Sequence, residues 1–116
     1  MSDTRNGKHL YEMYLKEAAY MYRGVIVRTF YAREGTVENI IDISKHHLID
    51  LYTKSIGHLH MQRNEAIGII RRTLSISVYE LYREHHERAQ AQALNQHLEE
   101  ETAQFVEYLE NLAISV

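Results

Sequence analysis

No proline occurs anywhere in the 116 residues, and there are only five glycines. β-Sandwiches, barrels and doubly wound sheets need many tight turns, which these two residue types usually provide. The glycines are scattered at positions 7, 24, 35, 57 and 68, too far apart to form a phosphate-binding loop. A chain this poor in turn residues predicts an all-α fold, a helical bundle in which residues 1 to 116 form one domain.

Composition excludes several kinds of chemistry. The chain has no cysteine, which rules out disulfides, thiolate metal sites and cysteine nucleophiles. No apolar run approaches the roughly 18 residues that a membrane span needs. We therefore expect a cytoplasmic protein that does not enter membranes.

Apolar residues at helical spacing predict the first two helices. The first is expected over residues 8 to 33, with Gly35 as its stop and Thr36 as the cap of the next. Its predicted core face comprises Leu10, Tyr14, Ala18, Met21, Tyr22 and Val25. The second helix is expected over residues 37 to 56 and to end at Gly57. Its apolar sector comprises Ile40, Ile41, Leu48, Leu51 and Tyr52.

The remainder of the chain repeats one spacing without interruption. From Ile67 to Val116, every third or fourth residue falls on one line, which is apolar at both ends and polar at Glu84, Arg88 and Asn95. We expect one continuous helix over residues 63 to 114, roughly 75 Å long. The alternative is a helical hairpin that folds back near residues 88 to 95, with Asn95 as a cap.

A second set of apolar residues predicts a surface for interaction with another chain. Helices that are apolar on two sides usually lie between two layers, and so small a chain has few layers to provide. These residues are Met13, Tyr20, Val27, Tyr31, Ile69 and Ile76. The alternative is that they meet inside a four-helix monomer.

The C-terminal segment predicts a further contact. Residues 91 to 116 hold five glutamates and no lysine or arginine, whereas residues 1 to 90 hold all 13 basic residues against 11 acidic ones. A coiled-coil-like seam is expected there, formed by Leu98, Phe105, Leu109 and Leu112. Its acidic flank would favour a basic partner.

The histidine-rich stretch from residue 44 to residue 60 raises the question of metal binding. His46 and Asp50 are one helical turn apart, but a complete site needs further ligands from facing helices. His58 and His60 are expected in a loop, and His85 on the surface. We predict no metal site and no cofactor; a metal- or pH-responsive bundle is a minor alternative.

Residues 36 to 57 also permit a helix-turn-helix, with a turn at residues 42 to 44 and Lys45, His46 and Lys54 facing a DNA groove. One helical phase runs through this stretch without the shift that a turn would cause, so DNA binding is the second interpretation. No catalytic motif is present. The sequence thus predicts a non-enzymatic protein–protein interaction module, an adaptor, regulator or chaperone that acts as a homodimer through helix–helix docking.

Overall fold

The structure is a computed structural model that describes the backbone of residues 3–31, 38–85 and 87–114, and the side chains of residues 7–30, 40–83 and 87–114. These residues form α-helices and no strand, which confirms the predicted all-α helical bundle. The helices are α1 (Asp3–Tyr31), α2 (Glu38–Gly57), α3 (Arg63–Leu74), α4 (Val78–His85) and α5 (Arg88–Asn111). None of them is long and apolar enough to cross a membrane.

Helix α1 begins at Asp3, five residues before its predicted start, whereas α2 lies within one residue of its predicted limits. Helix α2 ends at Gly57 as expected, while the predicted stop at Gly35 and cap at Thr36 fall outside the described residues. Helix α1 packs against α2, α3 and α5, and α4 packs against α5. Side chains from all five helices meet in one apolar core.

The prediction of one continuous helix over residues 63 to 114 is wrong. That stretch forms α3, α4 and α5, with breaks after Leu74 and after His85. The second break adjoins the predicted fold-back region, whereas the first was not expected. The longest dimension of the molecule is 51 Å, shorter than the roughly 75 Å of an unbroken helix.

Hydroxyl and amide groups explain the first break. The Oγ atom of Ser75 donates to the carbonyl oxygen of Arg71 at 2.9 Å, and the Ser75 backbone turns to an extended conformation. The Oγ atom of Ser77 then accepts the backbone N–H of Glu80 at 3.2 Å, which caps α4. Asn95, predicted as a cap for the fold-back, instead donates from Nδ2 to the carbonyl oxygen of Ile76 at 2.7 Å. The carbonyl of Ile76, which has no partner within a helix, is thereby hydrogen-bonded to α5.

The core residues of the third segment were predicted correctly even though its continuity was not. Each short helix turns the same line of side chains inward, because the apolar spacing is local to each helix. The buried members of the line are Ile67, Ile70, Leu74, Leu81, Ala91, Leu98, Thr102, Phe105 and Leu109.

The predicted core face of α1 is partly wrong. Ala18, Tyr22 and Val25 are buried, but Leu10, Tyr14 and Met21 are exposed. The buried side of α1 is rotated toward Leu15, Ala19 and Ile26, which belong to the core that α1 shares with α2, α3 and α5. Ile40 of α2 was also expected in the core, and it is half exposed.

Candidate functional site

One side of α1 carries large apolar side chains that the described part of the chain leaves open to solvent. They are between 38% and 62% exposed: Leu10, Met13, Tyr14, Tyr20 and Met21. At 100° per residue these five lie within one sector about 120° wide, which we call the α1 face. Large exposed apolar patches often mark contact sites for other proteins.

Neighbouring side chains hold both tyrosine rings of the α1 face. The ring of Tyr11 meets that of Tyr14 edge-on, with centroids 5.4 Å apart. The guanidinium carbon of Arg23 lies 4.7 Å from the centroid of the Tyr20 ring. Such contacts reduce the side-chain freedom that a binding event would otherwise remove.

Arg23 also connects the α1 face to the break after α3. Its Nη1 atom donates to the carbonyl oxygen of Thr73 at 3.1 Å and to that of Ser75 at 3.4 Å. These are carbonyls at the C-terminal end of a helix, which lack partners within the helix and attract cations. The position of the Tyr20 ring therefore depends on the packing of α1 against α3.

A shallow, open depression of about 480 Å³ lies on the α1 face, lined by Lys16, Glu17, Tyr20, Met21 and Thr73. Lys16 and Glu17 are exposed, and neither forms an ion pair within the described ranges. Farther along, a Cβ atom placed on Gly24 would meet no atom within 4 Å. The α1 face thus combines apolar side chains with the carboxylate of Glu17 and the open position at Gly24, and Lys16 lies at its border.

The structure places nine of the ten predicted interaction residues in three groups, which are exposed, partly buried and buried. Met13 and Tyr20 are exposed and belong to the α1 face. Val27, Ile76 and Leu112 are partly buried and pack against the core. The side chain of Tyr31 lies outside the described residues.

The other four predicted interaction residues are core residues. Ile69, Leu98, Phe105 and Leu109 are at most 5% exposed and pack inside the chain itself. The reason is the broken third segment, because α5 folds back and buries its apolar line against the chain's own helices. The interaction role predicted for these four is therefore corrected to an internal one.

In the histidine-rich stretch, the side chains of His46 and Asp50 contact groups one helical turn away on α2. The Nδ1 atom of His46 lies 2.7 Å from the carbonyl oxygen of Asp42, and the Asp50 carboxylate lies 3.0 Å from the Nζ atom of Lys54. Hydrogen bonding and charge attraction from Asp50 raise the pKa of Lys54. No group of three or more potential metal-ligating side chains occurs among the residues whose positions are described.

The predicted helix-turn-helix is wrong in its geometry. Helix α2 runs from Glu38 to Gly57 without the turn expected at residues 42 to 44. Lys45 and Lys54 lie on this one helix. Residues 38 to 57 therefore do not form the two helices of a helix-turn-helix, of which the second enters the major groove.

Sequence reasoning missed the roles of two arginines. Arg23 and Arg63 each donate to helix-terminal carbonyls of another element, and Arg63 reaches the carbonyl oxygens of Leu109 at 2.9 Å and Leu112 at 2.7 Å. Their partners are between 46 and 52 residues away along the chain, and such long-range contacts leave no local pattern. The capping signal S-x-x-E at Ser77 to Glu80, by contrast, was present in the sequence and marks the start of α4.

Comparisons with protein-family models, with curated proteins and with solved structures find no significant match to this chain.

Proposed function

We propose that this chain is a non-enzymatic protein–protein interaction module that acts as a homodimer, in the role of an adaptor, regulator or chaperone. Docking takes place helix to helix through the α1 face. One observation carries the proposal: five large apolar side chains, from Leu10 to Met21, share one exposed side of a single helix. Burying such a face against a partner stabilises the complex by about 25 cal/mol for each Å² of apolar surface removed from water.

The chemistry of the α1 face supports a protein partner. Tyrosine and methionine, which form most of it, are enriched at protein interfaces. Tyr20 presents a large ring that Arg23 already holds in place. Aromatic side chains that are held rigidly at an interface commonly contribute much of the binding energy.

The test is the mass of the purified protein in solution, measured by sedimentation and light scattering over a wide range of concentration. We expect twice the chain mass of 13.7 kDa at high concentration. Tyr20→Glu should return the mass to that of one chain without loss of helical circular dichroism. The matched control is Tyr79→Glu, at a residue that is 69% exposed on α4, and it should leave the mass unchanged.

Two results would contradict the proposal. A single-chain mass for the wild type at every concentration would remove the homodimer. Equal dissociation by Tyr20→Glu and Tyr79→Glu would show that the α1 face is not the contact.

A further inference from the structure

The α1 face has an internal symmetry about Glu17. Met13 and Tyr20 lie along one edge of it, seven residues apart, and Tyr14 and Met21 lie along the other edge with the same spacing. Seven residues are nearly two full turns, so each pair stays on its own edge. Glu17 lies between the edges, halfway along both pairs to within half a residue.

The ends of the α1 face match each other in the same way. Leu10 precedes Glu17 by seven residues and is 43% exposed, while Gly24 follows it by seven and has open space beside its Cα atom. Both lie near the midline of the face at 100° per residue. One end therefore carries a projecting side chain where the other carries none.

A two-fold axis through Glu17 would bring these matching groups together. Such an axis reverses the direction of the second helix and keeps each edge on its own side, so a residue on one edge meets a residue of the same edge. We infer that the α1 face pairs with the α1 face of a second copy of this chain, antiparallel, with the two-fold axis at Glu17. The inference rests on the proposed function and specifies its partner and its register.

In this arrangement each contact occurs twice. Met13 lies opposite Tyr20 of the second copy, and Tyr14 lies opposite Met21 of the second copy. A methionine sulfur beside an aromatic ring is a favourable contact. Leu10 lies over Gly24 of the second copy, where the missing side chain lets the helices approach.

The charged side chains of the face can also pair in this arrangement. Lys16 of each copy lies within reach of Glu17 of the other, which offsets the repulsion of the two carboxylates near the axis. The helix dipoles run in opposite directions. A parallel pair would instead set Leu10 beside Leu10 and Gly24 beside Gly24, with two projecting side chains at one end of the face and a gap at the other.

Cysteine crosslinking tests the register, and the natural chain has no cysteine to interfere. In the antiparallel pair, Glu17→Cys lies on the axis and should form a disulfide-linked dimer under mild oxidation. Leu10→Cys should not, because its two copies lie about 21 Å apart along the helices at 1.5 Å per residue. Disulfides need Cα atoms within about 7 Å.

The decisive sample is an equal mixture of Leu10→Cys and Gly24→Cys proteins. We expect crosslinked dimer in the mixture and almost none in either protein alone. Circular dichroism of each variant checks that the helices are retained, and Tyr79→Cys serves as the exposed position away from the contact.

The outcomes separate this inference from the proposed function. Self-crosslinking of both Leu10→Cys and Gly24→Cys would overturn the antiparallel register in favour of a parallel pair. A dimeric mass without crosslinking at Glu17→Cys would overturn the register and leave the homodimer intact. A single-chain mass for the wild type would overturn both.

Discussion

The rings of Tyr22 and Phe105 lie with their centroids 5.2 Å apart and their planes inclined by 58°, and they join α1 to α5 inside the core. The two residues are at most 4% exposed. This tilted contact is a favourable geometry for aromatic pairs. It contributes to the packing of α5 against α1.

Replacement of Phe105 by alanine should therefore lower the free energy of unfolding by about 3–5 kcal/mol, as expected for a buried phenylalanine. Urea denaturation followed by circular dichroism measures the change. Tyr108→Ala, on the same helix at a residue that is 50% exposed, is the control and should cost much less. Equal losses for the two variants would contradict the packing of α5 described above.

The hydroxyl of Tyr22 is buried and has no hydrogen-bond partner in the described part of the chain. Burying such a group costs about 1–3 kcal/mol, so Tyr22→Phe should leave the protein as stable as the wild type or more stable. Tyr52→Phe is the matched control, because the Tyr52 hydroxyl donates to the carbonyl oxygen of Leu109 at 3.2 Å. We expect that variant to lose about 1 kcal/mol. The opposite order of stabilities in urea denaturation would contradict the two assignments.

Stability should decrease in alkaline solution. Burial, and secondarily the Glu101 carboxylate, raises the pKa of Tyr22 well above its ordinary value of 10.0. Below about pH 10 the folded and unfolded chains both keep the Tyr22 proton, so the protein has its full stability there. Above it the unfolded chain releases the proton first, and the free energy of unfolding falls as pH rises toward the folded pKa. Denaturation midpoints from neutral to alkaline pH should fall less steeply in Tyr22→Phe than in the wild type, and identical slopes would refute the assignment.

Arg63 should stabilise the end of α5. Its Nη1 atom donates to the carbonyl oxygens of Leu109, Glu110 and Leu112 at the end of that helix. Arg63→Ala leaves these carbonyls with fewer donors and should cost about 1–3 kcal/mol. Hydrogen exchange of residues 109 to 114 should accelerate more than that of α2. Arg72→Ala, at an exposed arginine of α3, should change neither quantity; a similar effect there would argue against a specific role for Arg63.

Arg23 should strengthen self-association through Tyr20. A cation over an exposed ring is worth about 0.5–1 kcal/mol, so Arg23→Ala should raise the dissociation constant of the dimer roughly two- to five-fold. Sedimentation equilibrium measures this change, with Arg83→Ala on α4 as the control. An unchanged constant would mean that the Tyr20 ring does not need its cation in order to bind.

The helices and most of the core could be predicted from the sequence because both follow from local spacing. The apolar residues of the line between Ile67 and Leu109 are buried as predicted, since each helix orients its own apolar side regardless of what precedes it. The break at Ser75 to Ser77 was missed because no glycine or proline marks it. Serine hydroxyls, Asn95 and Arg23 stabilise it, and two of these three act across distant parts of the chain.

The candidate site could be predicted only in part. Met13 and Tyr20 were expected at a contact surface and are exposed, but Leu10, Tyr14 and Met21 were assigned to the core. Helix α1 is apolar around much of its circumference, so its sequence allows more than one inward side. The neighbouring helices decide between those sides, and their positions depend on the missed break.

Arg23 holds an exposed aromatic ring on one side and the end of an internal helix on the other. Folding and self-association would then share a single guanidinium group and be thermodynamically linked. Ligand binding to the folded state raises apparent stability by mass action, and here the ligand would be the protein itself. The melting temperature should consequently rise with protein concentration. The effect of a substitution near Arg23 on stability should therefore be compared only at a stated concentration.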